Sequence, residues 1–158
     1  MRKSVVGLLV LVFTIIGILT IAGGASPTYV GSDKCKICHK EQYAPWEASK
    51  HSKAWSALKP EEQNKAECIK CHSTDGEGKI PNVGCESCHG PGSEYKSPNI
   101  MNKQKWSADP AGQLKLATAA GLIAKPDEKV CAKCHNKQSP TFKGFNFAQM
   151  KEKIKHWK

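Results

Sequence analysis

The chain has 158 residues, with 24 Lys and Arg against 14 Asp and Glu, 8 Cys, 6 His and a formal charge of +10. Only 39% of it is hydrophobic and 7% aromatic, and much of that share falls before residue 26, so a core of side chains alone would be thin and something else must fill it. No stripe of interleaved basic and aromatic residues accompanies the charge, which argues against a nucleic-acid binder and leaves a solvated face that can also receive an acidic partner.

Met1-Arg2-Lys3 is a basic start, Val5 to Ala22 is almost wholly apolar, and Gly23-Gly24-Ala25 supplies small residues. That pattern predicts a signal peptide over residues 1–25, cleaved near Ala25. The apolar run is also long enough to serve as an uncleaved membrane anchor. Either outcome places residues 26–158, read as one domain, outside the cytoplasm, periplasmic or extracellular. That domain carries +8 once Arg2 and Lys3 are set aside.

All eight cysteines then fall into four copies of one pattern: Cys35-Lys-Ile-Cys38-His39, Cys68-Ile-Lys-Cys71-His72, Cys85-Glu-Ser-Cys88-His89 and Cys131-Ala-Lys-Cys134-His135. C-x-x-C-H is the attachment signature of haem c. Two thiols one helical turn apart bind the two vinyl groups of a haem, and the histidine that follows reaches the iron. A disulfide framework gives no reason for a histidine after every second cysteine, and a zinc ribbon does not require one. Four covalent haems c follow. With about 33 residues to each haem, the porphyrins must pack on one another and form the interior.

Between the motifs, Tyr43 to Leu58 reads as a helix with Pro45 in its first turn. Ser73 to Gly84, STDGEGKIPNVG, is a short turn-rich tether that keeps the second and third haems close. Asp109-Pro110 caps AGQLKLATAAGLI, which stops at Gly121. Asp127 caps a helix into Cys131, and Asn146 caps a last helix, FAQMKEKIKHWK, whose lysine-rich end suits the dipole. No strand alternation is found. The class is mainly α, a haem-dense multihaem cytochrome c with short helices and long loops.

Each motif supplies one axial histidine: His39, His72, His89 and His135. For the opposite faces only His51, His156, Met101 and Met150 remain after residue 25. His51 follows His39 too closely to reach round that haem and suits a neighbouring one. His156 is placed in the last helix. Met150 shares a helical face with Phe147 and Ile154 and reads as packing, while Met101 lies in the irregular polar loop SPNIMNKQ. No catalytic acid/base constellation is recognisable. An iron without a sixth ligand would bind small molecules, and mixed ligation would spread the haem potentials.

YVGSDKCKICHKEQYAPWEASKHSKAW, VGCESCHGPG and CAKCHNKQSPTFKGFNFAQMKEKIKH, in this order around the four motifs, resemble the tetrahaem cytochrome c-554 family, which carries electrons in ammonia oxidation and other respiratory chains. The resemblance implies closely stacked haem pairs, three irons with two histidines each and an open iron on the second haem. It implies His51 opposite His89 on the third haem and His156 opposite His135 on the fourth. The family's histidine beyond C-H-G-P-G is missing here, where the window reads SEYKSPNIMNK, and Met101 is the nearest replacement on the first haem. An electron carrier between cytochromes or membrane quinol/cytochrome complexes is the function expected. A reductase of nitric oxide at an open haem, and a homo-oligomer or filament with haems stacked across subunits, are the alternatives.

Overall fold

Helix-capping residues and short apolar stretches divide the chain into small helical pieces, and the computed structural model describes them for residues 26–156. The leader or anchor expected over residues 1–25 lies outside the described residues, as do Trp157 and Lys158. The helices are α1 (Ser32–Lys36), α2 (Lys40–Glu47), α3 (Ala66–His72), α4 (Cys85–His89), α5 (Lys103–Ala108), α6 (Pro110–Ala119), α7 (Glu128–Ala132) and α8 (Phe147–Ile154), with 3₁₀ turns at His51–Lys53 and Trp55–Ala57. Among the described residues the only β feature is an isolated bridge between Ser73 and Pro81, and no helix is long and apolar enough to cross a membrane.

Several helix starts follow the capping residues. The Asp109 side chain accepts from Gly112 N–H with Pro110 in the first turn of α6. Asp127 accepts from Val130 N–H at the start of α7, and Asn146 from Gln149 N–H at the start of α8. Each satisfies an N–H that the helix itself cannot. The helix expected from Tyr43 to Leu58 is instead α2, which begins earlier at Lys40 and ends at Glu47, followed by the two 3₁₀ turns. Pro45 therefore sits inside the helix rather than in its first turn. The break has a local cause: the Ser52 hydroxyl lies within hydrogen-bonding distance of both Glu47 O and Ser49 O, capping carbonyls that a continuing helix would use. Helix α5 begins at Lys103, inside the stretch SPNIMNKQ read above as an irregular loop; Asn102 caps it by accepting from Lys105 N–H. Helix α8 stops at Ile154, where Lys155 turns extended, so His156 lies beyond the helix and not within it.

The interior is nearly devoid of apolar side chains. Among the described residues only Tyr43, Tyr95 and Ala117 are buried apolar groups, whereas Ser32, Ser73, Thr74, Glu86 and Gln113 are buried polar ones. Hydrogen bonds carry much of the register. The tether 73–84 folds back on itself through Thr74 N–H to Ile80 O and Asn82 N–H to His72 O. It is then gripped from the α2 side: Trp46 Nε1–H donates to Val83 O, Trp55 N–H to the Asn82 side chain, and Val83 N–H to His51 O. Helix α4 is anchored at its start by Cys85 N–H donating to Ser32 Oγ in α1.

The end of α4 turns on Gly90, whose φ of 81° is the left-handed conformation that favours glycine. A Cβ there would lie 2.6 Å from the backbone oxygen of Gly121, in the turn where Ile123 N–H donates to His89 O. Gly90→Ala is expected to cost roughly 2 kcal/mol or more through strain and this backbone clash. A clear drop in the thermal unfolding midpoint of the haem-loaded protein checks it.

Candidate haem-binding site

The four motifs occupy helix-containing segments. Cys35 lies in α1, with Cys38 and His39 just beyond it; α3 and α4 contain the second and third motifs whole; α7 contains Cys131, with Cys134 and His135 following. In the first and fourth motifs the residue after the helix continues the turn, His39 N–H donating to Cys35 O and His135 N–H to Cys131 O. The two cysteines of a pair therefore stand one turn apart with the histidine beside them, as a single macrocycle requires. All eight cysteines are unpaired, so no disulfide framework competes.

Side-chain contacts arrange the motifs in an order that differs from the sequence. The Cys35 and Cys85 thiols are hydrogen-bonded neighbours, joining the first motif to the third. Cys71 and Cys134 are likewise joined, linking the second to the fourth. Cys88 is electrostatically close to Cys131 and Cys134, which places the third motif near the fourth. The hydrogen bond with Cys85 pushes the Cys35 thiol up, whereas the Cys85 thiol is held down at about 7, and burial pushes Cys88 up to about 11. These sulfurs become thioethers on attachment, so the adjacency persists in the loaded protein and the titration does not.

Several histidines are held in the state a metal ligand needs. Burial holds the imidazoles of His39, His51 and His89 below their ordinary range, favouring the neutral form that binds metals. His72 Nδ1 lies 2.6 Å from Ala54 O, His89 Nδ1 2.8 Å from Ile123 O and His156 Nδ1 3.0 Å from Ile154 O. A carbonyl only accepts, so each Nδ1 carries the proton and Nε2 is left as the ligating atom.

Two pairs of rings lie close together, one pair tilted and the other edge-on. His51 and His135 have centroids 6.1 Å apart, and His89 and His156 6.0 Å. Two imidazoles on opposite sides of one metal stand at about this separation, roughly 2 Å from metal to nitrogen and about 1 Å from nitrogen to ring centre on each side. Phe145 stacks on the far partner, its ring 4.9 Å from that of His135. His156 also borders His39, whose charged form it disfavours. The thiol pairs, the neutral imidazoles and the missing apolar core together fit four covalently held haems.

His51 lies beside His135 of the fourth motif and His156 beside His89 of the third. The physical reason lies at the two chain segments that carry them. His51 O accepts from Val83 N–H, which fixes its 3₁₀ turn against the tether, and the chain leaving α8 turns extended at Lys155 so that His156 enters the cleft lined by His39, Cys85 and His89. Met101 does not line that cleft; it is half-buried in the turn before α5, its N–H donating to Ser97 O.

Sequence reasoning missed the residues that hold the motifs in place. Glu86, inside the third motif, is the most deeply buried large side chain, and a charged residue between two cysteines gives no warning of it. Tyr95 donates its hydroxyl to Gly90 O at 2.7 Å. Asn82, at φ 72°, lies in the tether that its composition marks as turn-rich, and asparagine tolerates the left-handed conformation.

Helices without strands among the described residues, and four thiol pairs each with a trailing histidine, define a multihaem c-type cytochrome with four haems c. The profile of the family described as cytochrome c554 and c-prime matches residues 34–90. Cytochrome c-554 of Nitrosomonas europaea is 30% identical over 40% of this chain and 38% of its own length. The reduced-state structure of cytochrome c554 from Nitrosomonas europaea superposes with a TM-score of 0.53 at 29% identity, covering 78% of this chain and 73% of that one. The chain is thus similar to the cytochrome c554 family over residues 34–90 and in fold. Its sequence match spans about two fifths of the length of the curated relative.

The intact mass of the mature protein is expected to exceed that of the polypeptide by four haems. Replacing Cys85 and Cys88 together by Ala should remove one haem from that mass and lower stability more than the same change at Cys68 and Cys71, because Cys85 and Cys88 lie against both the first and the fourth motifs.

Proposed function

We propose that this protein is an exported electron-transfer cytochrome, periplasmic or extracellular, that passes electrons between redox partner proteins along haems ordered first, third, fourth, second. The proximity of the cysteines of each motif to those of the next in that order is the observation that supports this reading. When bound, haem c supplies one-electron ferric/ferrous chemistry whose potential depends on axial ligation, hydrogen bonding and burial. The chain sets those variables: the cysteines fix spacing, the carbonyls of Ala54, Ile123 and Ile154 orient ligand imidazoles, and the lysine-rich surface receives an acidic partner. Four reducing equivalents taken from the donor are returned to the acceptor with no bond made or broken. A reductive titration is expected to consume four electrons per chain, and mixing with an oxidised acidic cytochrome should return them faster at low salt than at high salt. Fewer than four exchangeable electrons would end the proposal.

The ring geometry supports His51 as the second ligand of the fourth iron and His156 as that of the third. With both histidines so used, the iron on His72 keeps a face for a small exogenous ligand, the starting point for the alternative activity of nitric oxide reduction. Met101 is carried forward from sequence order as the candidate for the first iron. Carbon monoxide bound to the ferrous protein counts open irons: His51→Ala and His156→Ala are each expected to add one site. An added site in Met101→Ala assigns its thioether to the first iron, and an unchanged count removes it.

A further inference from the structure

Glu86 is 1% exposed, yet it lies between two haem-attachment cysteines and is not used by any of the roles above. Its carboxylate takes four hydrogen bonds, all from backbone N–H groups. Val30 donates to Oε1 and Oε2 at 2.9 and 3.1 Å, Gly31 to Oε2 at 2.7 Å, and Gly92 to Oε1 at 2.7 Å. Val30 and Gly31 belong to the segment that enters α1 and the first motif; Gly92 follows the turn that leaves α4 and the third. Burying a carboxylate without a cation is costly unless its lone pairs are satisfied, and here three amides do so. Cys35 and Cys85, hydrogen-bonded to each other, both feel its charge.

We propose that Glu86 is a positioning residue that latches the first and third attachment sites to each other and holds a fixed negative charge beside that pair. The residue type is specified by the latch. Both oxygens only accept, and a glutamine would turn an NH2 group toward a backbone N–H donor. A negative charge at this place stabilises ferric over ferrous iron, so the first and third haems are harder to reduce than they would be beside a neutral group. This deepens the carrier reading and rests on it only for the purpose of the bias, because both consequences are read on the isolated haem-loaded protein and would be the same in an enzyme.

The test combines amide hydrogen exchange with a redox titration resolved by haem in paramagnetic NMR spectra. In Glu86→Gln, protection of the Val30, Gly31 and Gly92 amides is expected to fall by about tenfold or more, and the ferric-to-ferrous ratio of the first and third haems at fixed poise by roughly fivefold, with the second and fourth changing less. Retained protection overturns the latch; an unchanged ratio, or an equal change at all four haems, overturns the charge bias. Gly92→Ala separates the two, since its Cβ would stand 3.0 Å from Oε1 while leaving the charge in place. It should weaken protection with little change in ratio, and a ratio change as large as that of Glu86→Gln would refute the role of the charge. If Glu86→Gln does not mature, exchange in the wild-type protein decides the latch: these three amides exchanging as fast as exposed loop amides would overturn it.

Discussion

The rest of the molecule depends on the covalent bond between thiol pairs and haem, because the polypeptide has almost no apolar interior of its own. Two tyrosines and an alanine are the buried apolar groups among the described residues, and helices of five to ten residues are too short to persist in water without packing. A macrocycle attached at both cysteines of a motif offers a large flat apolar surface at a fixed place on the chain. Eight thioether bonds thus do the work that a hydrophobic core does elsewhere, and the polypeptide is left to set spacing and orientation.

It does so mainly through backbone groups. Ala54, Ile123 and Ile154 present carbonyls to the Nδ1 atoms of His72, His89 and His156. Each of these carbonyls is placed by structure distant in sequence or by a turn: Ala54 joins two 3₁₀ turns, and Ile123 is returned to α4 by a reciprocal bond from its own N–H to His89 O. An imidazole oriented by a main-chain carbonyl loses less freedom when it meets iron, and its ligating atom is preselected. Side-chain identity at positions 54, 123 and 154 is nearly irrelevant to that role, which explains why nothing in the sequence marks them.

What the sequence made legible is what covalent chemistry demands of particular residues. The four C-x-x-C-H motifs, the haem count and the mainly α class follow from residue types at fixed spacing, as do the caps at Asp109, Asp127 and Asn146. What it left hidden are the features that arise from three-dimensional proximity. The motif order first, third, fourth, second cannot be inferred from separations along the chain, because a short tether such as 73–84 limits distance without choosing which side chains touch. His51 was recognisable as a ligand candidate by its residue type. The turn at Ala48–Lys50 that redirects it was not, because it depends on a hydroxyl, Ser52, capping carbonyls that a helix would have used.

Charge shows the same division between surface and interior. The lysines that give the chain its +10 are spread over exposed helices and loops, where water and salt screen them beyond about 10 Å. They act on an approaching partner and hardly on the irons. Glu86 is the reverse: one carboxylate, shielded from water and fixed by three amides, acts at short range in a medium that screens poorly. A protein with few residues per haem cannot tune each potential by enclosing each macrocycle in its own pocket. A single buried charge at the junction of two attachment sites biases both at once, and placing it inside a haem motif ties that bias to the same short helix that holds the cofactor.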